Sequence, residues 1–213
     1  MSNQREEWNN ELQRIRRVSD MLTSMHAVLR DEYSRKSTIV DCALFGSSII
    51  LVALVFIDPT LLGWLPLSTT GSRILLGVFA LITFFLVLVV FRVDWKSKSD
   101  LHKRAAEAYA RVKLECQQLL NTFDNATDTE IQKLFVHYGD LGQICVSVPE
   151  GDFLRLKRKH RIKVALSKYL DENPGVCLLS LKLKIWFAGT FGSSSSDSLK
   201  RYLESTENTE DNL

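Results

Sequence analysis

The 213 residues contain none of the short motifs that carry catalysis. No Gly-rich phosphate loop, GxSxG elbow or kinase signature is present, so phosphate-transfer and nucleophilic enzymes lose their usual anchor points. We expect no enzymatic activity and no cofactor. The four histidines, His26, His102, His137 and His160, show no HExxH spacing, and a metal site is not expected. The four cysteines, Cys42, Cys116, Cys145 and Cys177, have no CxxC spacing and read as small apolar residues rather than a disulfide framework. Charge of one sign is also missing. With 27 Lys+Arg against 25 Asp+Glu, a net charge of +2 does not mark a nucleic-acid binder.

The most informative absence is local. Residues 74–91, ILLGVFALITFFLVLVVF, contain no charge, and residues 39–57, IVDCALFGSSIILVALVFI, contain only Asp41. A membrane-spanning helix needs ~20 mostly apolar residues. An amphipathic core helix would show a polar stripe every three or four positions, and 74–91 shows none. A secretory signal would occupy the first 15–30 residues or so, whereas here a charged 38-residue segment comes first. A soluble core pair meets the same length rule and stays the alternative. The connection, 58–73, holds Pro59, Gly63, Pro66 and Gly71, a turn-rich stretch too short for a domain. Its Trp64 suits headgroup depth.

Positive charge sets the orientation. The connection carries Arg73 alone, while Arg30, Arg35, Lys36, Arg92, Lys96, Lys98, Lys103 and Arg104 flank the other ends. The positive-inside rule puts both termini in the cytoplasm and the loop outside. The expected fold is a mainly α membrane protein, a two-transmembrane helical hairpin whose helices extend into a cytoplasmic helical domain. Its parts are an N-terminal helix (1–38), the first span (39–57), an external loop (58–73), the second span (74–91), a cytoplasmic helical region (92–190) and a Ser-rich, acidic, disordered tail (191–213).

Ile15, Val18, Leu22, Met25 and Leu29 follow 3-4-3-4 spacing, and Trp8 extends the series by a heptad. No Pro or Gly interrupts this helix through residue 38. After the second span, Leu101, Ala105, Ala108, Val112 and Leu119 form another stripe. A hairpin returns the chain beside its start, so the two helices are expected to pack as one antiparallel stalk, with Ala105 and Ala108 allowing close approach. Further on, a helix is expected over 125–138 with Thr127 or Asp128 as N-cap, and a brief strand over 143–148. From Asp152 a basic helix carries Arg155, Lys157, Arg158, Lys159, Arg161 and Lys163, then turns amphipathic through Ile162, Ala165, Leu166, Tyr169 and Leu170. Asn173-Pro174-Gly175 ends it. Lys182 and Lys184 exclude a third span at 176–187, leaving a strand or an interfacial element.

This layout resembles the SLATT family, the two-transmembrane effector domains associated with SMODS and SLOG domains in bacterial conflict systems. The resemblance rests on the two spans, on Trp95…His102-Lys103-Arg104-Ala105-Ala106-Glu107-Ala108-Tyr109, and on the run from Lys159 to Pro174, KHRIKVALSKYLDENP. It covers residues 10–175 or so. It implies a membrane effector, a homo-oligomeric pore in the bacterial inner membrane, acting when a partner enzyme senses infection or makes a nucleotide signal. The family has no catalytic motif to carry over.

Within the spans, Asp41 and Ser48 are seven apart and share a helix face within ~20°. Ser37 and Ser47 lie close to it. Asp41, Ser47 and Ser48 are therefore the candidate pore lining, since an ionisable residue inside a span is costly. Asp41 lies two residues into the span, where snorkelling to the headgroups or capping the helix explains it equally. Thr83 can bond its own backbone, and Gly46 and Gly77 can mark close helix contact. The basic run 155–163 offers lipid or phosphate contacts, or simply a solvated face. A non-conducting anchor that recruits a cytosolic partner through the stalk is the second reading.

Overall fold

The computed structural model describes residues 2–56, 69–173 and 175. Of these, 91% are helical and none lies in a strand. Five helices follow one another: α1 (Ser2–Phe56), α2 (Thr69–Val93), α3 (Trp95–Asn121), α4 (Asp128–Ile144) and α5 (Glu150–Glu172). They form two compact units, Met1–His26 with Ala105–Leu213, and Ala27–Arg104. The segment 176–187 and the acidic tail fall outside the described residues, as does most of the connection 58–73. The last residues of that connection, from Thr69, already belong to α2.

In the first unit, α1 and α3 run antiparallel, because partner numbers fall along α3 as they rise along α1. Arg5 donates to the Asp124 and Ala126 carbonyls at 3.3 Å each, Arg16 to Gln117 Oε1 at 2.8 Å, and Lys113 to Asp20 Oδ1 at 2.6 Å. His26 then stacks on Tyr109 with centroids 5.7 Å apart. Between the helices, Leu12, Ile15, Val112 and Cys116 join Ala126, Ile131 and Leu134 in the core, with Trp8, Leu119 and Phe123 packed against it. Burying one such aliphatic side chain contributes ~1.5–3 kcal/mol, so these residues hold the unit together.

The α1 seam is rotated from the aliphatic one. Ile15, Met25 and Leu29 are buried and Val18 and Leu22 half-buried, but Leu12, Ser19 and His26 are buried as well. Those three are seven apart and complete a heptad whose polar members aliphatic counting passes over. On α3 the buried residues are Ser99, His102, Ala105, Ala106, Tyr109, Val112 and Cys116, whereas Ala108 is half-buried and Leu101 exposed. Leu101 is therefore not part of the stripe. The register is fixed by His102, Tyr109 and Cys116, again seven apart.

Thr127 caps α4, its backbone N–H and hydroxyl both donating to the Glu130 carboxylate, at 2.9 and 2.8 Å. That N–H bond holds the Glu130 carboxyl below its ordinary value. The strand expected over 143–148 does not form. Gln143 and Ile144 finish α4, and Cys145 turns extended while its N–H caps the Leu141 carbonyl. Among the described residues no neighbouring strand is present to satisfy an extended backbone there, and Pro149 takes the N-cap position of α5 instead.

In the second unit, Ser99 Oγ donates to the Arg30 carbonyl at 3.0 Å, and Tyr33 stacks on His102 with centroids 5.5 Å apart. Burial holds the His102 imidazole below its ordinary value, favouring the neutral ring in that stack. The first apolar stretch continues α1 without a break. The second passes into α3 through one irregular residue, Asp94, at φ 45°. Asp tolerates the left-handed region better than most residues. Helical bonding persists on both sides, from Asp94 N–H to the Val90 carbonyl and from Lys98 N–H to the Asp94 carbonyl. The Asp94 carboxylate accepts the Ser97 N–H at 3.1 Å, the N-cap bond that starts α3.

Candidate functional site

Both apolar stretches lie on helices long and apolar enough to cross a membrane, and no part of either apolar window is buried within the chain. The 25 residues of α2 rise about 38 Å at ~1.5 Å per residue, more than the ~30 Å hydrocarbon core. A soluble core helix would hide this surface. Here Phe45, Ile49, Leu81, Phe84, Phe85 and Phe91 all stand exposed.

The polar atoms on these helices are met locally. Ser47 and Ser48 both donate to the Leu44 carbonyl, at 3.0 and 2.8 Å, and Thr83 to the Phe79 carbonyl at 3.0 Å. Such back-bonding removes the penalty of a bare hydroxyl in an apolar medium. Asp41 is half-buried and accepts a 3.4 Å bond from Ser37 Oγ one turn earlier. Ser48 is exposed and Ser47 half-buried. The structure thus places Ser37, Asp41 and Ser48 along one exposed-to-intermediate stripe of α1. Gly46 and Gly77 do not mark close contacts among the described residues, where a Cβ at either meets nothing within 4 Å.

The basic helix α5 divides by face. Arg155 pairs with Asp152 at 2.9 Å, Arg158, Lys159 and Lys163 are exposed, and Lys157 and Arg161 are half-buried. His160 is buried, as are Leu156 and Ala165 on the same helix. Its Nε2 lies 3.9 Å from Asp20 Oδ2, the carboxylate that also takes Lys113. Ser19, His26 and His160 therefore put polar groups inside the first unit, and the Ser19 hydroxyl has no hydrogen-bond partner among the described residues. The signal for Ser19 and His26 was their heptad spacing with Leu12; no such spacing marks His160 on α5.

Burial pushes the Cys116 thiol up to about 11, so it packs as a neutral apolar group. Among the described residues, no three His, Cys, Asp or Glu side chains gather closely enough to hold a metal ion. Comparison with family models, with curated proteins and with solved structures gives no match.

Proposed function

We propose that the chain is a two-span membrane effector of SLATT type. Several copies assemble and open a pore in the bacterial inner membrane when a cytosolic partner or nucleotide signal acts on them. Both termini are cytoplasmic and the short connection is external, following the positive charge. The observation that carries this reading is that no residue of either apolar window is buried within the chain, which leaves them in need of lipid and of other copies. One helix pair cannot enclose water, because lipid-facing surface must be apolar and each backbone group must bond within its helix. In an assembly, the Ser37–Asp41–Ser48 stripe faces inward, and the open space over Gly46 lets a neighbouring helix approach. No catalytic step, cofactor or nucleic acid enters this account.

A non-conducting anchor is the second reading, favoured by the hydroxyls of Ser47, Ser48 and Thr83, which already bond their own helices. Ion selectivity separates the two. A ring of carboxylates attracts cations, as acidic rings do in cation channels. Asp41→Asn is expected to lower cation preference while the protein stays inserted, and Asp41→Lys to shift preference towards anions or close the pore. Reversal potentials across a planar bilayer under a salt gradient report both. Channels of unchanged selectivity in both variants place the pore lining elsewhere. A wild-type protein that neither conducts nor depolarises expressing cells supports the anchor.

A further inference from the structure

We infer that the junction of α2 and α3, built from Arg92, Trp95, Lys96 and Lys98, is a docking surface for the headgroups of anionic phospholipids. The inference rests on the membrane reading above and adds which end of which helix the lipid selects. Phe91 ends the charge-free stretch at 88% exposure, and Arg92 follows it directly. Three residues on stands Trp95, half-buried, the residue type that settles at headgroup depth.

Charge distinguishes this boundary from its counterpart on α1. Residues 92–104 hold five cations, Arg92, Lys96, Lys98, Lys103 and Arg104, against Asp94 and Asp100, a balance of +3. The 13 residues before the first span, 26–38, hold Arg30, Arg35 and Lys36 against Asp31 and Glu32, a balance of +1. The pairing differs too. Arg30 meets Asp31 at 2.8 Å and Lys36 sits over the Tyr33 ring, whereas Arg92, Lys96 and Lys98 are exposed and make no ion pair among the described residues. The nearest carboxylate, Asp94, is engaged by the Ser97 N–H. The left-handed turn at Asp94 thus places unmatched cations at the end of the apolar helix and occupies the one acid between them. A cation close to an anionic leaflet enriches such headgroups about fivefold.

The test uses the full-length chain with Trp8, Trp64 and Trp186 replaced by Phe, reconstituted in phosphatidylcholine vesicles. Brominated lipid is added at equal mole fraction as either phosphatidylglycerol or phosphatidylcholine, and quenching of Trp95 is read. Phosphatidylglycerol is expected to quench severalfold more effectively, and Lys96→Gln with Lys98→Gln to bring the two lipids level. Equal quenching in the parent protein overturns the inference and leaves the membrane reading intact. No quenching by either lipid overturns both. Loss of the preference on adding inorganic phosphate at constant ionic strength assigns the surface to free phosphate and overturns the lipid assignment. The unmodified chain supplies a second readout. Native mass spectra after extraction from mixed membranes should show retained phosphatidylglycerol, lost in the Lys96→Gln, Lys98→Gln variant; retention in that variant contradicts the inference.

Discussion

Leu81→Arg is expected to remove the protein from the membrane fraction. Leu81 sits mid-way along the charge-free stretch and is 68% exposed within the chain. On a surface facing water, such a change falls within about 0.5 kcal/mol of neutral. At the centre of a spanning helix it costs ~2.5–3.5 kcal/mol, because the guanidinium must be drawn into hydrocarbon or reach for the interface. The two environments thus predict opposite outcomes for one residue. Alkaline extraction followed by sedimentation measures it: the wild type should stay in the pellet, and the variant should be depleted or degraded. A Leu81→Arg variant recovered undiminished from the pellet would mean that α2 does not meet lipid at this depth.

The second large effect belongs to the first unit. Ile15 is buried among Leu12, Val112, Cys116, Ile131 and Leu134, and the cations that border that cluster, Arg5 and Arg16, are already engaged by the Ala126 carbonyl and by Gln117. Ile15→Glu leaves an unpaired carboxylate there, and an uncompensated buried charge costs on the order of 3–5 kcal/mol. Most small domains have only ~5–15 kcal/mol to lose. Leu114→Glu is the control, since Leu114 lies on α3 but is well exposed. Protease resistance of the detergent-solubilised protein should collapse for Ile15→Glu and hold for Leu114→Glu. Similar resistance in both variants would show that α1 and α3 do not pack through this face.

The two substitutions illustrate what sequence alone reveals. The apolar helices were legible because length and absence of charge are enough to identify them, with no knowledge of neighbours. Helix existence over the basic run and the Thr127 cap were legible for a similar reason, since each depends on local chemistry. Packing register was not. Counting aliphatic residues found Ile15, Met25 and Leu29 but passed over Ser19 and His26, and it admitted Leu101, which faces outward. A contact face is set by geometry, and a polar residue sits in it whenever its partner suits, as Tyr109 suits His26. The strand expected at 143–148 failed because β-forming residues need a neighbouring strand, and none lies among the described residues. Asp94 was invisible, because nothing in an aspartate's identity announces a positive φ. Of the candidate pore residues, the shared face of Asp41 and Ser48 followed from their spacing. The back-bonding of Ser48 did not, because a serine hydroxyl can turn to its own helix or to a neighbour.

Whether the polar ends of both apolar helices lie on the same side of a bilayer is decided by cysteine accessibility in intact cells. On a background with Cys42, Cys116, Cys145 and Cys177 replaced, one cysteine is introduced at Ser68, in the connection, or at Ser205, near the C-terminus. Ser68→Cys is expected to react with a membrane-impermeant thiol reagent, and Ser205→Cys to react only after the cells are opened. Reaction at Ser205→Cys in intact cells, or protection of Ser68→Cys there, would contradict this topology.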